Sequence, residues 1–230
     1  MEILESLSKT GVPRKVLVYL ARGATTSVKI SLNISLSNLM PVKILDKIQL
    51  GPMPYMSVMP TLLVGATVKG KPNYMTAAWA TVACMAPPMV CVAINKMRYT
   101  ALGIEETKTF SLNVPSVDQV VETDHCGLVS GAHEDKSQVF SSFFGKLKTA
   151  PMAKECPVNI ECTVFKSVDC GSHLLYIGKI VEIHADPLCV TDGKPDIKKV
   201  NPIIYTHAAY FDVGKMVDMA FSAGKNYQKG

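Results

Sequence analysis

Residues Lys71–Lys96 read KPNYMTAAWATVACMAPPMVCVAINK, and no charged residue stands between the two terminal lysines. A strand with one wet face alternates polar and apolar side chains. Here Thr76, Ala77, Ala78, Ala80, Thr81, Val82, Ala83 and Cys84 are small or weakly polar, and the chain's only tryptophan, Trp79, interrupts them. On the residues alone two readings stay open. Small side chains accommodate a crossing helix or a partner chain, or they let a flat molecule lie close to backbone N–H and C=O groups.

Working outward, the stretch sits in β-like text. Thr61–Val68 is a short run rich in valine and leucine, followed by turn residues Lys69-Gly70-Lys71-Pro72-Asn73 and a strand over Met75–Cys84 at hairpin distance. Pro87-Pro88 stops that strand and Met89–Ile94 resumes. Thr100–Thr107 reads as a short helix with Thr100 as N-cap, and Phe110–Val114 as a strand ended by Pro115. Ser116 caps a helix over Val117–Val129. Two long β runs, Val158–Val168 and His173–Ala185, flank the turn Asp169-Cys170-Gly171, and Val213–Ala223 has a weak helical period. At least six strands without regular intervening helices predict a mainly β, α+β fold, an antiparallel barrel with peripheral helices. A doubly wound parallel sheet does not fit, and no G-x-G-x-x-G fingerprint is present.

Composition bounds the function. The chain has 230 residues, is 48% hydrophobic and 19% charged, and carries a formal charge of +5. The basic surplus is concentrated before residue 48, so the rest of the chain has no electrostatic footprint for nucleic acid. Cys156, Cys162 and Cys170 are separated by five and seven residues, a poor match to zinc-ligand spacing, so no metal site is expected. Seven cysteines in a chain of this length read as reduced, mostly buried thiols of a cytoplasmic protein. No apolar run approaches the ~18 residues of a membrane span. Residues 1–39 show no sustained period and read as a peripheral extension, either a targeting peptide or text preceding a natural start at Met40, with the domain over 40–230.

The order of short motifs narrows the class. Pro60-Thr-Leu-Leu-Val-Gly, Gly70-Lys-Pro-Asn-Tyr-Met-Thr-Ala-Ala-Trp, Cys84-Met-Ala-Pro-Pro-Met-Val, Arg98-Tyr-Thr and Phe110-Ser-Leu-Asn-Val-Pro follow one another. Gly127-Leu-Val-Ser-Gly, Gly171-Ser-His with Gly178, and Asp192-Gly-Lys-Pro-Asp come later. From about Met40 onward this order resembles the flavin reductase–like family of FMN-binding split β-barrels, Greek-key in type, and within it the flavoredoxin group.

The resemblance implies FMN held non-covalently at the subunit interface of a homodimer. It places the isoalloxazine against Met75, Thr76, Ala77, Ala78 and Trp79, with Val82, Ala83 and Cys84 beside it. Arg98 and Thr100 stand where a strand hands over to a helix and are candidates for the phosphate, joined by Ser130, Gly131 and Lys136. His173 is the candidate for the nicotinamide side, although Ser172 stands where the family usually has an acid. His207 and Tyr210 are candidates to border the open face of the ring. Two activities follow from the resemblance: hydride transfer from NADH or NADPH to FMN with onward electron transfer, or a carrier whose FMN is reduced by a protein partner such as a ferredoxin. Neither requires a side-chain acid or base, since positioning and electrostatics are the protein's contribution.

Overall fold

The computed structural model describes residues 47–227, so the expectation for residues 1–39 lies outside the described residues. The chain divides between Met53 and Pro54 into two units, and every described strand and helix belongs to the second. In chain order these are β1 (Met59–Pro60), β2 (Leu62–Val68), β3 (Lys71–Ala77), β4 (Ala80–Cys84) and β5 (Met89–Asn95), then helix α1 (Tyr99–Thr107) and β6 (Thr109–Val114). A 3-10 turn at Val117–Gln119 leads into α2 (Val120–Leu128), followed by β7 (Ser142–Phe143) and β8 (Met152–Ala153). The long hairpin β9 (Val158–Asp169) and β10 (His173–Ala185) comes next. After it come β11 (Val190–Thr191), β12 (Lys194–Pro195), α3 (Ile197–Val200), and the short hairpin β13 (Ile204–Thr206) and β14 (Ala209–Phe211).

Seven strands form one antiparallel sheet in the order β3-β2-β6-β9-β10-β5-β4. Its two end strands, β3 and β4, are neighbours in sequence, joined only by Ala78-Trp79. The sheet therefore curls until its ends meet. One core records this: Met75 and Ala77 of β3 are buried in the same cluster as Val90, Val92 and Ile94 of β5. Leu62, Val64, Ala66, Phe110, Leu112, Cys162 and Tyr176, with Ala101 and Ile104 of α1, complete that cluster. No ladder joins β3 to β4; instead the Ala93 N–H donates to the Trp79 carbonyl at 2.8 Å. The result is the expected fold, a mainly β split barrel with peripheral helices, of which α1 packs Ala101 and Ile104 into the core. Gly178 lies where β10 passes Phe110: a Cβ there would stand 2.5 Å from the Phe110 ring, so the bare backbone lets the phenyl fill the barrel.

The period of two explains the second core. Alternate residues of β2 and β3, Leu63 and Tyr74, point away from the barrel and pack with Cys126, Phe140, Ala153 and Cys156. This cluster holds α2 against the outside of β3. The Tyr74 hydroxyl is satisfied by Ser142 Oγ at 2.8 Å, and its ring meets Phe140 edge-on at 5.9 Å.

Three local readings differ from the structure. The strand expected over Met75–Cys84 is broken at Ala78-Trp79, because closing the barrel requires the chain to leave one edge and enter the other. The cap of α1 is Arg98 rather than Thr100; Thr100 lies inside the helix, buried, where its Oγ accepts from Asn73 Nδ2 at 2.7 Å. The weak helical period over Val213–Ala223 does not form a helix there: Gly214 takes a φ of 72°, and Val217 is 98% exposed, so no surface rewards helix formation. Ser116 does cap as expected, in a reciprocal box with Gln119, but the first turn is 3-10. Among the described residues no helix is long and apolar enough to cross a membrane.

Candidate functional site

A cleft of about 480 Å³ opens where the barrel is split. Its floor is the Met75–Trp79 stretch together with Ala93 and Asn95 of β5. Of the bare stretch in the opening sequence, Thr76–Trp79 belongs to this floor and Ala80–Cys84 does not. Ala77 contributes mainly backbone, since its side chain is buried in the barrel core, whereas Ala78 is half-buried and lines the cleft. One wall is α2, with Asp124, Gly127 and Leu128. The adjoining wall is the β13–β14 hairpin, with Tyr205, Ala208 and Tyr210.

The walls are tied to the floor by specific contacts. Thr76 Oγ1 donates to the Thr123 carbonyl of α2. A Cβ on Gly127 would stand 3.2 Å from that of Thr76, so a glycine permits the helix to approach the strand here. Arg98 Nη1 donates to the Gly127 carbonyl at 3.1 Å, which holds the exposed guanidinium at the end of α2. That partner is a carbonyl and not a carboxylate, so the positive charge of Arg98 stays available to an anion. Tyr210 Oη donates to Asp124 Oδ1 at 2.7 Å and fastens the hairpin to α2. At the end of the cleft the His173 ring stacks on Trp79, with centroids 4.7 Å apart and planes 29° apart, and its Nδ1 pairs with Ser172 Oγ at 2.8 Å.

A second depression, of about 310 Å³, follows along the same strand. Pro72 and Asn73 of β3 line it where Met75 and Thr76 line the cleft, and Tyr99 lines it where Arg98 lines the cleft. The two hollows thus share β3 and the start of α1. Lys69, Lys71 and Lys136 line the second one together with Glu134 and Asp135; Lys71 is paired with Asp135 at 2.9 Å, so the hollow is only weakly basic. Lys136 is only 3% exposed; its Nζ donates to the carbonyls of Cys126 and Val129 at 3.0 and 3.1 Å. Burial pushes its amine below the ordinary lysine value. An ammonium has three donors, and two are used here.

The sequence-derived candidates fall into three groups. Met75, Thr76, Ala77, Ala78, Trp79, Arg98, His173 and Tyr210 are brought together around the cleft. Gly131 and Lys136 line the adjoining depression, with Ser130 at the loop that precedes it, its Oγ accepting from the Ala132 N–H. Thr100 is turned toward Asn73. Val82, Ala83 and Cys84 are not brought to the cleft: β4 is the last strand of the sheet, and Val82 is 73% exposed. His207 sits at the hairpin turn, its ring 5.5 Å from Tyr55, and it is the next residue, Ala208, that lines the cleft. Asp124 and Tyr205 were not foreseen. A single acid within a helical run and one tyrosine among several carry no spacing signal; only the fold brings them to the site.

The curled antiparallel sheet thus carries a cleft at its split, floored by small residues and continued by a weakly basic hollow. The chain belongs to the flavin reductase like domain family, which it matches over residues 56–214. It is a flavin-binding oxidoreductase of that family. The structure is similar to that of flavoredoxin from Methanosarcina acetivorans, with a TM-score of 0.77 and 41% identity, covering 78% of this chain and 98% of that one. It is also similar to flavoredoxin of Desulfovibrio vulgaris (Miyazaki F), with a TM-score of 0.72 and 35% identity over 77% of this chain and 99% of that one. An uncharacterised protein of Archaeoglobus fulgidus is 37% identical over 146 residues, which are 62% of this chain and 81% of the relative.

Proposed function

We propose that the protein is an FMN-dependent electron-transfer protein of the flavoredoxin type, with the FMN ring in the cleft and its phosphate toward the weakly basic hollow. The observation that carries this reading is the succession of the two hollows along β3. A cleft of about 480 Å³ with an uncharged floor is followed by a weakly basic depression, which suits a molecule with an aromatic ring at one end and a dianion at the other. Arg98 and the remaining donor of Lys136 are the charges for the phosphate. Small side chains at Ala78 and Ala93 leave the backbone accessible to the ring edge. Bound FMN supplies the redox chemistry, and the protein supplies position and field.

The homodimer implied by the family is supported by β4. It is an unpaired edge strand with Val82 exposed, and a second copy placed there would give Val82, Ala83 and Cys84 a flavin to face. The similarity to two flavoredoxins favours reduction by a redox protein partner. A second reading, reduction by NADH or NADPH, is favoured by His173, which lies in the cleft beside the floor.

One experiment separates them. FMN-loaded protein mixed under argon with NADH or NADPH is expected to keep its flavin absorbance over minutes and to lose it within seconds of adding reduced ferredoxin. Fast bleaching by either nicotinamide would instead establish the reductase reading. Protein that retains no flavin from a solution of FMN would contradict both.

A further inference from the structure

The hairpin wall of the cleft carries, in Tyr210, a hydroxyl whose one proton is already committed. Resting on the FMN reading above, we infer that Tyr210, oriented by Asp124, accepts the imide N–H of the flavin's pyrimidine ring.

The direction follows from donor arithmetic. Tyr210 has one proton and gives it to Asp124 Oδ1 at 2.7 Å. An ionised carboxylate only accepts, so that bond does not reverse. Both residues line the cleft; what Tyr210 has left for a ligand is the lone pairs of its phenolic oxygen, beside the second oxygen of the Asp124 carboxylate. Burial, and then the neighbouring Asp124, push the phenol above the ordinary tyrosine value, so it stays protonated through neutral pH. An imide edge presents one N–H between two carbonyls, so reading it takes an acceptor as well as donors. A wall of donors alone would leave that N–H unpaired.

The oxygen is also held in place. The turn of the hairpin is made by His207 and Ala208, both at positive φ, 49° and 58°, where glycine or asparagine is usual. Strain of this kind persists only where the surroundings over-determine the conformation. Tyr210 supplies that constraint from the far side of the turn, because Asp124 is on α2 and α2 is fixed to β3 through Thr76. Acceptor, helix and floor form one frame.

The test compares FMN with 3-methyl-FMN, in which the imide hydrogen is replaced, on wild-type protein and on Tyr210→Phe. Dissociation constants are read by flavin fluorescence, and the melting temperature reports the fold. The substitution is expected to weaken FMN about 3- to 10-fold more than it weakens 3-methyl-FMN, the worth of one hydrogen bond. Equal losses for both flavins would overturn the proposal, since the hydroxyl then acts only through the shape of the hairpin. No loss for FMN would overturn it too. Failure of wild-type protein to bind FMN at all would overturn the flavin reading and this proposal with it, and that result is distinct from the other two.

Discussion

Ala78→Leu is expected to yield a folded, colourless protein. Ala78 lies half-buried on the floor of the cleft, at the point where the chain crosses from β3 to β4. A leucine there adds three carbons to the surface on which the ring rests, and the backbone beneath is anchored by the Ala93–Trp79 bond. Overfilling a packed contact costs about 1–3 kcal/mol, so FMN should bind roughly 10- to 100-fold more weakly. Stability should change little, because this side chain belongs to no core cluster. Ala77→Leu makes the contrast: its side chain is buried in the barrel, so the same added volume is expected to lower the melting temperature. The absorbance ratio after gel filtration, with a thermal melt of each variant, checks both halves. An Ala78→Leu protein that stays stoichiometrically yellow would remove the floor from the binding site.

The largest expected effect on stability lies away from the cleft, at Asn113. It is fully buried on β6 and completes four hydrogen bonds. Nδ2 donates to the Leu63 carbonyl at 2.9 Å and to Ser111 Oγ at 3.0 Å. Oδ1 accepts from the Ala153 N–H at 3.0 Å and from Asn159 Nδ2 at 2.8 Å. One amide thereby fastens β2, β8 and β9 to β6. Asn113→Ala leaves several of these groups buried without a partner, at about 1–3 kcal/mol each, so a loss of about 3 kcal/mol or more is expected. Urea denaturation should show a lower midpoint with an unchanged slope. A midpoint within error of wild type would mean that water or relaxation replaces the amide.

These two sites mark what the sequence disclosed and what it did not. The strands, the helix cap at Ser116 and the bareness of Thr76–Cys84 were readable because alternation, capping chemistry and side-chain size are local. The break at Ala78-Trp79 was not, because it is imposed by the Ala93 N–H from another strand. Thr100 looked like a cap because its hydroxyl stands at the start of a helix; its partner, Asn73, lies 27 residues away and is brought to it only by the fold. The Tyr210–Asp124 pair spans 86 residues and leaves no periodic trace. The floor of the site was therefore legible in one segment, whereas its walls come from elements that only the closed barrel assembles.

The central claim is the seating of the flavin, and a crystal structure of the FMN-loaded protein tests it most directly. The ring should lie between Ala78 and the β13–β14 hairpin, with its phosphate near Arg98 and Lys136. Electron density for FMN away from the Met75–Trp79 floor, with the cleft filled by water, would contradict it.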